Sequence, residues 1–135
     1  MKNKLKLNTL LIITLFFFTT SSIGEEFIFN TSEINITEEG NIIKASNGTV
    51  TTPEGDFIIR AKNFNYDKKN LILEAFENVE VNDLKNEILI ESDFITYNYK
   101  KRSISSNKKS TIKDDLGNIF FLDNFLYTLD NKLIK

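Results

Sequence analysis

The stretch FIIRAKNFNYDKKNLILEAFENVEVND, residues 57–83, decides the fold. Phe57, Ile59 and Ala61 alternate with Ile58, Arg60 and Lys62, and Phe64 and Tyr66 flank Asn65. Leu71, Leu73 and Ala75 alternate with Ile72 and Glu74, and Val79 and Val81 flank Glu80. A period of two sends successive side chains to opposite faces of a strand, whereas a helical stripe returns about every 3.6 residues. The same alternation continues in Ile88, Ile90, Ile95, Tyr97 and Ile104. Turn chemistry separates the apolar runs at Asn47-Gly48, Pro53-Glu54-Gly55-Asp56, Asp67-Lys68-Lys69-Asn70, Asn82-Asp83, Asp114 to Asn118 and Asp130-Asn131. No window after Glu25 carries a helical stripe. The expected class is all-β.

The chain also aligns with itself. A shift of 31 residues puts Phe57-Ile58-Ile59 on Ile88-Leu89-Ile90, Ala61 on Ser92, Phe64 on Ile95, Tyr66 on Tyr97 and Leu73 on Ile104. A second shift of 31 puts Ile119-Phe120-Phe121 on Ile88-Leu89-Ile90 and Phe125 on Phe94. Each unit is an apolar strand, a short bend, a second strand ending in an aromatic, a charged turn and a third strand. Units of this size bury their apolar face only by stacking on one another.

Composition narrows the chemistry. The 135 residues include 17 Lys plus Arg, 19 Asp plus Glu, and no His, Cys or Trp. A Ser-His-Asp or Cys-His nucleophile, a zinc site of the usual ligands and a disulfide framework are therefore excluded. Carboxylate pairs drawn from Glu74, Glu91 and Asp93 fall at alternating outward positions or in turns, as solvated faces do, so no enzyme activity and no cofactor are expected.

The N-terminus reads as an address. Lys2, Lys4 and Lys6 precede an apolar run from Leu10 to Phe18, then Thr19-Thr20-Ser21-Ser22 and Ser22-Ile23-Gly24. That order describes a secretory signal peptide over residues 1–24, cleaved before Glu25. The apolar run is about half the ~20 residues that a spanning helix needs. Export removes three lysines and leaves residues 25–135 with 14 basic and 19 acidic side chains, a net charge of −5. An acidic exported domain is not expected to bind nucleic acid.

The segment from Ala61 to Ala75, followed by Glu77-Asn78-Val79-Glu80-Val81, resembles the OstA-like domain of the lipopolysaccharide-transport family. Its unit reads roughly A-D-x-φ-x-Y-D, an apolar strand, then A-x-G-N-V. Ser92-Asp93-Phe94-Ile95-Thr96-Tyr97 looks like the next copy, and Ile42 to Gly55 resembles the strand pair before the first. The likeness runs from Phe27 to about Leu133. Glu77 stands where the pattern prefers Gly, and Lys62 or Asn63 where it prefers Asp. The family includes a periplasmic bridge protein and the periplasmic domain of an outer-membrane assembly protein. The resemblance implies an open, twisted β-jellyroll that holds acyl chains and stacks end to end. The chain stops in mid-unit at Lys135, so residues 25–135 are expected to form this domain truncated at its C-terminal end.

The implied function is that of a carrier. Phe57, Ile59, Ala61, Phe64, Tyr66, Leu71, Leu73, Ala75, Val79, Val81, Ile88, Ile90, Ile95, Tyr97 and Ile104 are expected to line one apolar face that shelters the acyl chains of lipopolysaccharide. Each buried methylene contributes about 0.8 kcal/mol, so ten give roughly 8 kcal/mol before ordering costs. Arg60, Lys62, Lys68 and Lys69 are the cations available to the lipid's phosphates. Edge strands at Glu33 to Thr37 and Ile119 to Leu122 are expected to pair head to tail with other OstA-like domains, in the periplasm and in contact with the outer-membrane assembly machinery. The competing expectation is an exported repetitive β-solenoid or adhesin-like protein with a closed, dry core.

Overall fold

The computed structural model describes residues 27–130 and 133–135; the expected signal peptide, residues 1–24, lies outside the described residues. The described chain is all-β. Ten strands follow one another: β1 (Ile28–Thr37), β2 (Ile42–Thr51), β3 (Phe57–Asp67), β4 (Ile72–Asp83), β5 (Ile88–Asn98), β6 (Ser103–Ser106), β7 (Ser110–Lys113), β8 (Ile119–Leu122), β9 (Phe125–Thr128) and β10 (Leu133–Ile134). The one helical element among the described residues is a single 3-10 turn, Glu38–Gly40, between β1 and β2. β3 and β5 each hold 11 residues and begin 31 apart, as the internal alignment requires.

Every pairing is antiparallel and belongs to one ten-stranded sheet, which an interruption of the pairing midway along the five long strands divides into two halves, a first and a second sheet. The first sheet orders residues 28–31, 48–51, 57–61, 79–83 and 88–92 of β1 to β5, then β7 and β8. The second orders residues 33–37, 42–46, 63–67, 72–76 and 94–98, then β6, β9 and β10. The division becomes a true branch at β5, whose first half pairs β7 while its second half pairs β6. A cluster of hydroxyls holds the branch: Ser110 Oγ donates to Ser92 Oγ at 3.0 Å, Ser92 and Ser106 share a 3.1 Å bond, and Ser106 Oγ donates to the Phe94 carbonyl at 2.6 Å. The two sheets are folded on each other as the sides of a wedge. This twisted jellyroll is built from antiparallel hairpins, and the coils of a solenoid are not the architecture of the described chain.

The bends decide which side chains point inward. In β3 the buried series runs Phe57, Ile59, Ala61 and then Phe64, Tyr66, changing parity across the bend. β4 keeps its parity because one extra residue is inserted between Phe76 and Val79, and Glu77 and Asn78 take left-handed φ of 62° and 52°. This is the position where the OstA-like pattern has glycine, which adopts that conformation without steric cost. Here the backbone is pinned instead by Glu77, whose carboxylate accepts from Lys62 Nζ at 2.8 Å and from Asn63 Nδ2 at 3.0 Å. Asn47-Gly48, read from the sequence as a turn, lies inside β2 at its bend. A Cβ on Gly48 would collide with the Asn30 carbonyl oxygen and Thr31 Cα of the neighbouring β1, so the two backbones meet there only because position 48 has none.

The third repeat copy is corrected by one residue. Ile112 pairs Ile90 on one side and Phe120 on the other, so Phe120 matches Ile90 at a shift of 30. Ile119 and Phe121 therefore face outward. Phe125 likewise matches the inner Ile95 rather than the outer Phe94, for it is buried opposite Ser106. A slip of one residue moves a whole strand's side chains to the other face.

The hairpin tips share a device. Asp67 Oδ1 accepts from the Asn70 amide at 2.9 Å, Asp83 Oδ1 from Asn86 at 2.9 Å, Asn98 Oδ1 from Lys101 at 2.9 Å, and Asp114 Oδ1 from Asn118 at 2.8 Å. These Asx caps recur every 15 or 16 residues, once per half-unit. The Asn70 bonds hold the Asp67 carboxyl below the usual carboxylate range, and the Asn118 side-chain amide does the same for Asp114. A depressed folded pKa contributes stability that is present above the unfolded value, near 4, and is lost as pH falls through the folded one. The unfolding temperature should therefore drop below about pH 4. Replacing Asp67 and Asp114 together by Asn, which keeps an oxygen acceptor and cannot titrate, is expected to flatten that acid limb. An unchanged limb would remove the caps from the acid response.

Candidate functional site: the apolar interior and its edges

Two cross-strand rows build the interior. In the first sheet Phe29, Val50, Ile59, Val81, Ile90, Ile112 and Phe120 lie opposite one another in strand order. In the second the row is Ile36, Ile43, Tyr66, Leu73, Tyr97, Ile104, Tyr127 and Ile134. Directly opposed pairs such as these are the unit of sheet stabilisation. Rings join the rows across the wedge: Phe29 lies 6.2 Å from Tyr66, and Phe57 lies 5.9 Å from Tyr97 edge to face. Phe27, just ahead of β1, stands edge-on to Tyr66 at 4.8 Å and to Tyr97 at 5.6 Å.

All fifteen residues expected to line one face are brought into this interior. Thirteen are buried; Leu71 and Ile88, at hairpin ends, are half-buried and pack against the core. In its middle the interior is closed by these buried side chains. Exposed apolar surface on the inner rows sits instead at the lateral edges. Ile34 and Ile36 of β1 remain 51% and 60% exposed, and Phe120 of β8 is 44% exposed. Outward-facing Phe121, beside it, is 80% exposed.

The sequence reading missed Phe27, Phe29, Val50, Ile112 and Tyr127, all of which line the same interior. A signal existed for Phe27 and Phe29, which alternate with Ile28. Val50 was obscured by the misread turn at Asn47-Gly48.

The wedge has a hinge side, where the strands bend, and a mouth, where hairpin turns of the two sheets meet. The mouth is polar. Tyr127 Oη donates to Asp83 Oδ2 at 2.7 Å, and Asn86 Nδ2 donates to Tyr127 Oη at 3.1 Å. Tyr99 Oη donates to Glu54 Oε1 at 2.8 Å, and Arg102 reaches the same oxygen at 4.0 Å while its Nε donates to Asp130 at 2.6 Å. Burial pushes the Tyr97 and Tyr127 hydroxyls well above the usual phenol range, reinforced by Glu54 near the first and by the Asp83 bond at the second. Both stay neutral.

Of the four expected cations, Arg60 and Lys62 lie on the outer face. There they pair with Glu80 at 3.0 Å and Glu77 at 2.8 Å, away from the mouth. Lys68 and Lys69 occupy the β3–β4 hairpin tip, and Lys69 is exposed. No group of acidic side chains among the described residues is arranged to hold a metal ion.

A twisted jellyroll whose two bent halves close on one apolar interior is the fold of this chain, and a solved protein shares it. A solved counterpart is the crystal structure of LptH from Pseudomonas aeruginosa, described as the LptA-homologous periplasmic component of the conserved lipopolysaccharide transport device. The two superpose with a TM-score of 0.70 at 10% sequence identity, covering 82% of this chain and 81% of LptH. No family model and no curated protein matches the sequence.

Proposed function

We propose that this chain is a non-enzymatic bridge domain that carries lipopolysaccharide across the periplasm, sheltering acyl chains between its two sheets. The observation that carries the reading is the pair of apolar rows, which run unbroken across both sheets and each end in an exposed side chain at one edge, Phe120 and Ile36. Ile34, Ile36 and Phe120 stand on the inner face of the edge strands without a cover among the described residues, as edges that accept another strand do. The fold shared with LptH supports the same reading. Because the interior is closed in the middle, an acyl chain enters as the sheets part, replacing side-chain contacts with its own methylenes.

The domain also extends by strand addition. The second sheet contains an even number of described strands, so a copy displaced along the sheet presents its β1 antiparallel to β10. The inner rows then continue from Ile134 to Ile36 of the next domain, giving one passage through several domains. Other OstA-like domains, including that of the outer-membrane assembly machinery, are the partners this edge fits.

A photo-crosslinking side chain at Phe64 or Tyr97 should label lipopolysaccharide when the purified domain is incubated with it. The same group at Lys44, an exposed outward position opposite Asn65, should not. Labelling at Lys44 equal to that at Phe64 and Tyr97, or none at all, would discard the carrier reading.

A further inference from the structure

We infer that the mouth of the wedge is a gate, latched by Tyr127–Asp83 and Tyr99–Glu54, and that the two sheets part to admit hydrocarbon only after these two bonds open. The inference rests on the carrier reading for what passes, though not for how the sheets part. Three observations converge on it. First, both bonds run from one sheet to the other, between groups more than forty residues apart in the chain. The backbone pairing of either sheet survives when they break, so opening is local rather than global. On the hinge side the strands themselves are continuous between the sheets, and parting there would require breaking five bent strands at once.

Second, a cavity of about 210 Å³ opens among the turns of the mouth beside Asp83, bordered by Asp56, Asp83, Asn86 and Arg102 on its polar side and by Phe57 and Leu129 on its apolar side. It leads from the solvated turns to the outermost members of the core. Third, the latch is built to be undone. Asp83 keeps three other hydrogen bonds, from the Lys85 and Asn86 amides and from Asn86 Nδ2, when Tyr127 leaves. Asn86 Oδ1 is buried in the closed form without a protein partner. Opening gives that oxygen solvent, which offsets part of the loss.

The chain has no cysteine, so a single Val81→Cys substitution, at a fully buried position on the inner row, reports opening by its rate of reaction with a small disulfide reagent. Each latch bond removed should raise the open fraction about fivefold, and both together about 25-fold. Tyr127→Phe removes the hydroxyl that bonds Asp83 and Asn86, and Tyr99→Phe removes the one that bonds Glu54 while Arg102 still faces that carboxylate; both keep the rings in place. Labelling should accelerate by these factors with a urea dependence well below that of global unfolding. Insertion of cis-parinaric acid, a fluorescent acyl chain, should quicken in parallel. If labelling accelerates and no variant takes up the acyl probe, the gate stands and the carrier reading falls. If labelling is unchanged, or follows global stability alone, the gate is overturned whether or not acyl chains bind. Should the double variant fail to fold, Tyr99→Phe alone, at a half-buried position, carries the test at fivefold.

Discussion

Gly48→Ala is expected to cost the domain about 3 kcal/mol or more, a large share of what holds a domain of this size together. The added methyl meets the Asn30 carbonyl oxygen and Thr31 Cα, both backbone atoms of the paired strand, and neither can rotate away. Either the sheet shifts at the bend or β1 lifts off β2. Detachment would also uncover Phe29, Val50 and the ring of Phe27 against Tyr66 and Tyr97. Each such side chain contributes about 1.5–3 kcal/mol when buried. Gly55 makes the contrast. It has a φ of +77°, yet a Cβ there meets nothing within 4 Å, so Gly55→Ala is expected to cost only about 1 kcal/mol of left-handed strain. Urea denaturation of both variants, with limited proteolysis of residues 27–37, separates the two causes. Equal stability losses, or a protease-resistant β1 in the Gly48 variant, would show that the close approach of β1 and β2 is not what the fold depends on.

The same bend marks the limit of what the sequence discloses. Period-two alternation identifies the strands and, for β3 to β5, nearly the whole inner face, because hydrophobicity is a local property of each side chain. Where a strand changes sheets is not local. Asn47-Gly48 has the chemistry of a hairpin turn and serves as a mid-strand kink, since β1 lies close enough to require it. The third repeat slips from 31 to 30 because Ser106 to Ser110 spans the branch between the sheets, and nothing in Ile119-Phe120-Phe121 alone reveals which face each residue takes. The exposed edge of Ile34 and Ile36 reads as ordinary alternation, for burial there depends on whether another strand comes next in the sheet. The mouth is the least legible part. Tyr127 and Asp83 stand 44 residues apart and Tyr99 and Glu54 stand 45 apart. Neither pair carries a motif. The Asx caps were legible as turns at Asp67, Asp83 and Asp114, yet their spacing of half a repeat, with Asn98 as the fourth member, emerges only when each cap is seen closing a hairpin.

Edge charge is expected to abolish end-to-end assembly while leaving the domain folded. Ile34 and Ile36 lie on the inner face of β1 opposite Ala45 and Ile43, more than half exposed, so Glu at both positions removes little from the isolated core. In an assembled pair the two would be covered by the second sheet of the neighbouring domain, continuing the row from Ile134. Covering the exposed half of two isoleucines is worth about 2 kcal/mol, so their loss alone weakens association about 30-fold. Placing carboxylates in the continued interior adds a desolvation cost on top of that. Phe120→Glu attacks the opposite edge through β8. There the first sheet holds an odd number of described strands, so a displaced copy would add its β1 in parallel. The antiparallel junction at β10 should therefore set the affinity, with the β1 pair more damaging than Phe120→Glu. Light scattering over a wide concentration range reads the outcome, and thermal unfolding confirms that the variants remain folded. An unmodified domain that stays monomeric at every concentration and pairs with no related domain would sink strand addition. So would a double Glu variant that assembles as well as the parent.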